Sequence, residues 1–202
     1  MVRVGISVEG ATEERFIKIS LVPHLVQKNI FVTPVSMGGN VSIDRVRHEI
    51  NKLIYSFDVV TTFYDFYGFK RKQKAETKSS LETQILESVP KALRGKVIPY
   101  IQMYEFEGLL FSSPSTIATV LQQEDIRPWA EEILHEFNGN PELINNSPQT
   151  APSKRLAITP YRKTTHGPNI AKQIGLDVLR KKCKGFNDWL SHLEALAAKS
   201  VK

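Results

Sequence analysis

A single cysteine, Cys183, serves the whole chain of 202 residues, so no internal disulfide can form. No Cys or His stands beside it at zinc-ligand spacing, which excludes a thiolate zinc site and leaves Cys183 as a small buried hydrophobe. Long hydrophobic runs are also missing. The apolar stretch MVRVGISV breaks at Glu9, too short for a signal segment or a membrane span, and no later stretch approaches that length. A cytoplasmic protein with no membrane partner is expected. The glycines do not make a nucleotide loop: Gly5 and Gly10 are followed by Glu13 where a dinucleotide fingerprint needs its third glycine. P-loop spacing and the G-x-S-x-G elbow are both absent, which excludes P-loop nucleotide binding and α/β-hydrolase chemistry. With no linker composition, repeat or low-complexity segment, one domain over residues 1–202 is the economical expectation.

What is present is the material of a globular core. Hydrophobic residues make up 41% and charged residues 24%, a balance that excludes disorder on composition. Lys and Arg outnumber Asp and Glu by 27 to 21, giving a net charge of +6. A mildly basic protein suits an anionic partner such as nucleic acid, although many soluble domains carry as much.

The first hundred residues alternate between two periods. Val2 to Val8 is a β-rich run ending in Glu-Gly, and Thr12, Glu13 and Glu14 open a helix over about 12 to 28 in which Phe16, Ile17, Leu21, Leu25 and Val26 recur at helical spacing. Ile30 to Ser36 is a second strand, and Ser42 caps a helix to about 56. Asp58 to Tyr64 is the third strand, followed by a helix over 78 to 93. Lys96 to Met103 is the fourth strand, made irregular or an edge by Pro99. Such alternation predicts an α/β fold with a mostly parallel central sheet flanked by helices, a core of about 1–112. The rest, about 113–202, reads as a helical and loop-containing elaboration. It holds a helix near 127 to 137, the loop-like NSPQTAPSKR, and closing helices over 168 to 182 and 186 to 198.

Open parallel sheets bind ligands at the carboxyl ends of their strands. Glu9 ends strand one, Asp65 follows strand three, Glu105 and Glu107 follow strand four, and Glu13 lies one helical turn beyond strand one. Converging carboxylates repel one another and are tolerated when a divalent cation neutralises them; hard oxygen ligands favour Mg²⁺ or Mn²⁺. Most of these residues have a structural alternative. Glu13 and Glu14 suit a helix start, Asp65 an Asx-turn, and Glu107 a cap. Glu9 has none, because a glutamate closing an apolar strand gains nothing structural there.

VEGATEERF resembles the first motif of Toprim domains, particularly that of the overcoming-lysogenization-defect nucleases, in which a strand-ending glutamate is followed four residues on by a second. More closely, the chain resembles the Toprim-like family described as domain of unknown function 4276. The matching pieces are VEGATEE, VTPVSMGG, VTTFYDFYGF, IPYIQMYEFEGLLF, QTAPSKR and YRKTTHGP, with the closing GLDVLR and FNDWLSHLEAL, spread over residues 4 to 196. The resemblance implies a Toprim-like, Rossmannoid fold and makes Glu9 a metal ligand or general acid/base. It makes Glu13 the second acid of the first motif and Asp65 the first acid of an Asp-x-Asp pair. Tyr67 stands where the second Asp of that pair belongs, so Glu105 or Glu107 has to compensate. In APSKR and YRKTTHGP, Lys154, Arg155, Arg162 and Lys163 are placed to grip phosphates, and His166 to donate to a leaving oxygen. The catalytic expectation is therefore Glu9, Glu13, Asp65, Lys154, Arg155 and His166, with Glu9, Asp65, Glu105 and Glu107 on the metal.

These readings converge on a metal-dependent nuclease acting on DNA or RNA, beside an ATPase partner in genome defence or repair as the resemblance suggests. The alternatives are a catalytically reduced Toprim-like binding or regulatory subunit, to which Tyr67 points, and another phosphotransfer on a nucleotide.

Overall fold

β1 (Val2–Val8) is buried at six of its seven positions, which requires neighbours on both edges and cover on both faces. A computed structural model, describing residues 1–70, 75–145 and 147–199, supplies them. β1 pairs in parallel with β2 (Ile30–Ser36) on one side and with β3 (Val59–Asp65) on the other. β3 pairs in parallel with β4 (Val97–Ile98) and β5 (Ile101–Gln102), giving the order β2-β1-β3-β4 with β5 continuing along β3. The expected fourth strand is thus cut in two, with Pro99 at the cut. A proline has no N–H for the ladder, and the Thr62 hydroxyl bridges the gap by donating to the Tyr100 carbonyl (2.7 Å) and accepting from its amide (2.8 Å).

Helices cover both faces. The first runs through α1 (Ala11–Phe16), a π turn (Ile17–Leu21) and α2 (Val22–Val26). The widened turn precedes Pro23, which can neither donate to the helix ladder nor tolerate a close carbonyl one turn back. α3 (Ile43–Leu53) starts at Ser42, whose hydroxyl accepts from the Arg45 amide, and α4 (Lys78–Glu87) starts at a Thr77–Ser80 capping box. α4 stops six residues short of expectation; a 3₁₀ segment (Lys91–Lys96) follows Pro90. α5 (Pro114–Leu121) and α6 (Ile126–Glu136) lead to α7 (Pro152–Leu156), α8 (Lys163–Ile174), α9 (Leu176–Lys182), α10 (Lys184–Glu194) and α11 (Leu196–Lys199). None of the described helices is long and apolar enough to cross a membrane.

Three expectations for the C-terminal half are corrected. APSKR is not loop: its last four residues open α7. YRKTTHGP is not loop either, because α8 begins at Lys163 and passes through Gly167 and Pro168. Pro168 cannot donate to the carbonyl of Thr164. That carbonyl instead accepts from the Arg15 guanidinium (3.3 Å), whose other nitrogen reaches Asn169 (3.2 Å) and ties α8 to α1. The single helix expected over 168 to 182 is two, parted at Gly175, whose φ of +84° only glycine adopts without strain.

The strand period of two sorts the core. Val2, Val4, Ile6, Val8 and Phe63 face a large cluster built with Phe16, Phe106, Phe186, Trp189 and the C-terminal helices. Val60 and Tyr64 face the other cluster, under α3 and α4. Trp189 fixes α10 to the sheet by stacking on Tyr100 (4.8 Å between centroids, 13° apart) and donating to the Thr61 hydroxyl (2.9 Å). Buried Glu142 accepts the amides of Gly185 (2.7 Å) and Phe186 (3.0 Å), so a carboxylate caps the start of α10. Cys183 is fully buried, and burial pushes its thiol up to about 12.

Phe63 lies between Phe16, Tyr100, Phe106 and Trp189. Truncation by Phe63→Ala is expected to cost about 3–5 kcal/mol. Urea unfolding followed by circular dichroism checks this; a loss under about 1 kcal/mol would mean the ring cluster does not hold the sheet to its C-terminal cover.

Candidate functional site

The strand order reverses between β1 and β3, since the chain leaves β1 for β2 on one side and returns to β3 on the other. At such a switch point the loops diverge and leave a crevice at the carboxyl ends of the strands. Val8 is in register with Phe63, so Glu9 and Asp65 emerge from neighbouring strands into that crevice.

Glu9 is half-buried, and its Oε2 is buried without a hydrogen-bond partner. Its carboxylate lies on the backbone of Gly68, where any Cβ would collide with Oε2. Burial pushes the Glu9 carboxyl above its usual range, and Glu13 adds to the shift against the pull of Lys163 and Lys70. Glu13, buried in the first turn of α1, does two things: Oε2 accepts the Gly10 amide (3.0 Å), and Oε1 lies 3.9 Å from the Lys163 ammonium.

Asp65 is not an Asx-turn residue. Its Oδ1 accepts the amide of Phe106 (2.8 Å), joining the end of β3 to the 3₁₀ segment Phe106–Ser112, and its Oδ2 lies 3.8 Å from Lys163. Burial holds its carboxyl well above the ordinary range; Lys163 opposes this, while Glu13, Glu107 and Glu9 reinforce it. Glu107 has no exposed surface. Its Oε1 lies 3.4 Å from Lys163 and accepts from the Tyr161 hydroxyl (3.3 Å), and its Oε2 is buried without a partner. Burial raises its carboxyl too. Glu105 is half-buried and turns aside, its Oε2 accepting the Ser153 amide at the start of α7 (2.8 Å).

Lys163, the first residue of α8, therefore sits among Glu13, Asp65 and Glu107. Burial disfavours its charge, but the acids outweigh burial and hold the ammonium above its ordinary range. Among the described residues, no other basic residue of the expected set forms an ion pair with these acids. Arg155 donates to the Thr150 carbonyl (2.8 Å), lies 3.7 Å from Glu136 and stacks over Phe137. Lys154 and Arg162 are exposed. His166 Nδ1 accepts the Arg162 amide (3.1 Å), closing the first turn of α8. Tyr161, which sequence reasoning passed over, is a member of the site; its place directly before the Arg-Lys pair of YRKTTHGP was the available signal.

The donor chemistry suits a hard divalent cation: carboxylate oxygens only, two of them buried and unpartnered. Among the described residues, however, no three of His, Cys, Asp and Glu stand together at metal-ligand spacing, and the acids gather around Lys163.

The family model described as domain of unknown function (DUF4276) matches residues 8–194. The chain belongs to that family. Among solved structures it is similar to the C-terminal region of the Burkholderia pseudomallei OLD protein, at 18% identity and a TM-score of 0.54, covering 98% of this chain and 99% of that one. The C-terminal region of the Xanthomonas campestris pv. campestris OLD protein is similar at 11% identity and a TM-score of 0.52, covering 98% of both chains. These likenesses show the fold of this family member: the mostly parallel, helix-flanked sheet expected above. No curated protein matches.

Replacing Lys163 by Met leaves buried carboxylates without their shared cation. Its side chain is 46% exposed, which reduces the loss to an expected ~1–3 kcal/mol at pH 8. The raised carboxyls set the sign. Asp65 and Glu107 take up protons in the folded state at a pH where the unfolded chain is still ionised, so the penalty shrinks as pH falls from neutral towards about 5. Thermal unfolding of both proteins across that range checks it; a penalty independent of pH would show that Lys163 does not balance the cluster.

Proposed function

We propose that the chain is a divalent-metal-dependent phosphodiesterase of Toprim type acting on nucleic acid. One observation carries the reading: carboxylates from β1, β3 and the segment after β5 are buried together at the switch point, two of their oxygens have no hydrogen-bond partner, and the Lys163 ammonium stands among them. Burying so much like charge is costly unless it serves binding or chemistry. The OLD-like fold and the motif resemblance support the same activity, and the net charge of +6 suits a polyanionic partner.

Glu9, Asp65 and Glu107, joined by Glu105 when it turns from Ser153, would hold Mg²⁺ or Mn²⁺. The ion would supply polarisation of the phosphodiester and a more acidic water. The protein's own groups do the rest. Burial raises the Glu9 carboxyl and makes it a better proton acceptor than an exposed glutamate. Lys163, half-exposed at the rim, can donate to a phosphate oxygen as negative charge develops there. Tyr161 holds Glu107 in place. Lys154 and Arg162, exposed on the same stretch of chain, would steer the phosphate backbone. An ATPase partner and a role in genome defence or repair belong to this reading through the family resemblance.

The second reading, a binding or regulatory subunit without turnover, is favoured by Tyr67 at the second acid position and by the lack of three ligands at metal spacing among the described residues. The purified protein, given labelled single- and double-stranded DNA and RNA with Mg²⁺ or Mn²⁺, is expected to cleave at least one of them. Glu9→Gln is expected to lower the rate at least ~100-fold with the fold intact by circular dichroism. Nucleic-acid binding without cleavage, unchanged in Glu9→Gln, would establish the second reading instead.

A further inference from the structure

Tyr67 and Tyr104 make an aromatic pair on the two backbone segments that carry the acids. Tyr67 lies two residues after Asp65, and Tyr104 directly precedes Glu105. The rings are 5.4 Å apart and tilted by 41°. Phe66, buried beneath, meets Tyr104 edge-on at 6.2 Å and Tyr67 at 6.1 Å. The amide of Tyr67 donates to the carbonyl of Tyr104 (3.0 Å), fixing the two segments together. Both tyrosines keep part of their surface in solvent.

Tyr104 also has a φ of +54°, in the left-handed region. For a bulky aromatic residue this is an outlier, which Gly or Asn would occupy at lower cost. Backbone strain of this kind persists where the surroundings over-determine it and gathers at functional sites. Here it coincides with a partly exposed ring pair, packed on the second core cluster, beside a charged crevice.

We propose that Tyr67 and Tyr104 form a stacking platform for an unpaired nucleobase beside the phosphate held at the acidic crevice, so that the chain selects single-stranded over fully paired nucleic acid. The proposal rests on the phosphodiesterase reading above for the identity of the polymer. Every base has a π face, so stacking on tyrosine is tolerant of sequence, but a base inside a duplex is already stacked and cannot reach the platform. Contacts to backbone phosphates supply no such discrimination. On this view Tyr67 replaces a carboxylate by a base-binding surface, and specificity for unpaired strands is what the exchange gains.

The test uses the full chain and a fluorescent thymidine oligonucleotide, alone or annealed as a blunt duplex, with binding read by anisotropy in Ca²⁺, a hard divalent cation for the carboxylates. Single strand is expected to bind more tightly than duplex. Tyr67→Ala and Tyr104→Ala are each expected to weaken the single strand about tenfold with duplex affinity unchanged, while Tyr67→Phe keeps the parent value. Because either alanine variant can disturb packing, a strand carrying 5-iodouracil is also irradiated on the unsubstituted protein. Crosslinks at Tyr67 or Tyr104 support the platform, and crosslinks confined to α7 and α8 overturn it. Equal affinity for the two forms of DNA overturns it as well. Tyrosine-dependent binding without cleavage in Mg²⁺ or Mn²⁺ sinks the phosphodiesterase chemistry and leaves the platform standing; cleavage without tyrosine dependence does the reverse.

Discussion

Like charges brought out of water at the ends of adjacent strands repel one another, and the fold holds them there by force of packing. Five carboxylates, those of Glu9, Glu13, Asp65, Glu105 and Glu107, bear on the crevice between β1 and β3. Beneath them lies the aromatic cluster of Phe16, Phe63 and Phe106, whose burial opposes any splaying of the loops. The acids are also spoken for individually by backbone amides: Gly10 for Glu13, Phe106 for Asp65 and Ser153 for Glu105. A carboxylate with one oxygen fixed in this way presents the other in a defined direction, which a cluster held by charge alone would not achieve.

The C-terminal helices are arranged around the same constraint. Lys163 reaches the acids because α8 lies hard against α1 and the 3₁₀ segment. At Gly167 a Cβ would stand 2.6 Å from the Tyr161 hydroxyl and 3.2 Å from the Phe106 ring, so this close approach is open only to glycine. Arg15 secures the contact through the carbonyl that Pro168 frees. The helical elaboration is therefore part of the site and not merely cover for the sheet, since it brings the Lys163 ammonium to the acids.

This explains which features were legible in the sequence. β1 was read to the residue and β3 to within one, because buried parallel strands are continuous apolar runs with abrupt ends, and the half-exposed edge strand β2 was read to the residue as well. Glu9 and Asp65 stood out for the same reason: each closes such a run. Lys163 was seen as a basic residue but not as the partner of Asp65, because their meeting depends on how α8 crosses α1. No local pattern encodes that crossing. The start of α8 was misplaced because Gly167 and Pro168 look like the end of a loop, and only the long-range bond from Arg15 makes a proline tolerable one turn into the helix. Asp65 was open to an Asx-turn reading because its true partner, Phe106, lies across a strand crossover.

The charge balance carries one more consequence for the proposed chemistry. Among the described residues, Lys163 and Lys70 oppose the acids at the crevice, and the buried carboxylates there repel an approaching phosphodiester. The excess positive charge of the chain draws a polyanion to the surface, but the buried acids oppose its final approach to the crevice. A divalent cation bound there would reverse the local sign. Cation and phosphate would then bind more tightly together than apart, each lowering the repulsion that the other meets, and by linkage the coupling would be equal in both directions. On the proposed reading, the raised carboxyls of Glu9, Asp65 and Glu107 mark a site that is electrostatically incomplete by itself, in which substrate and metal complete each other.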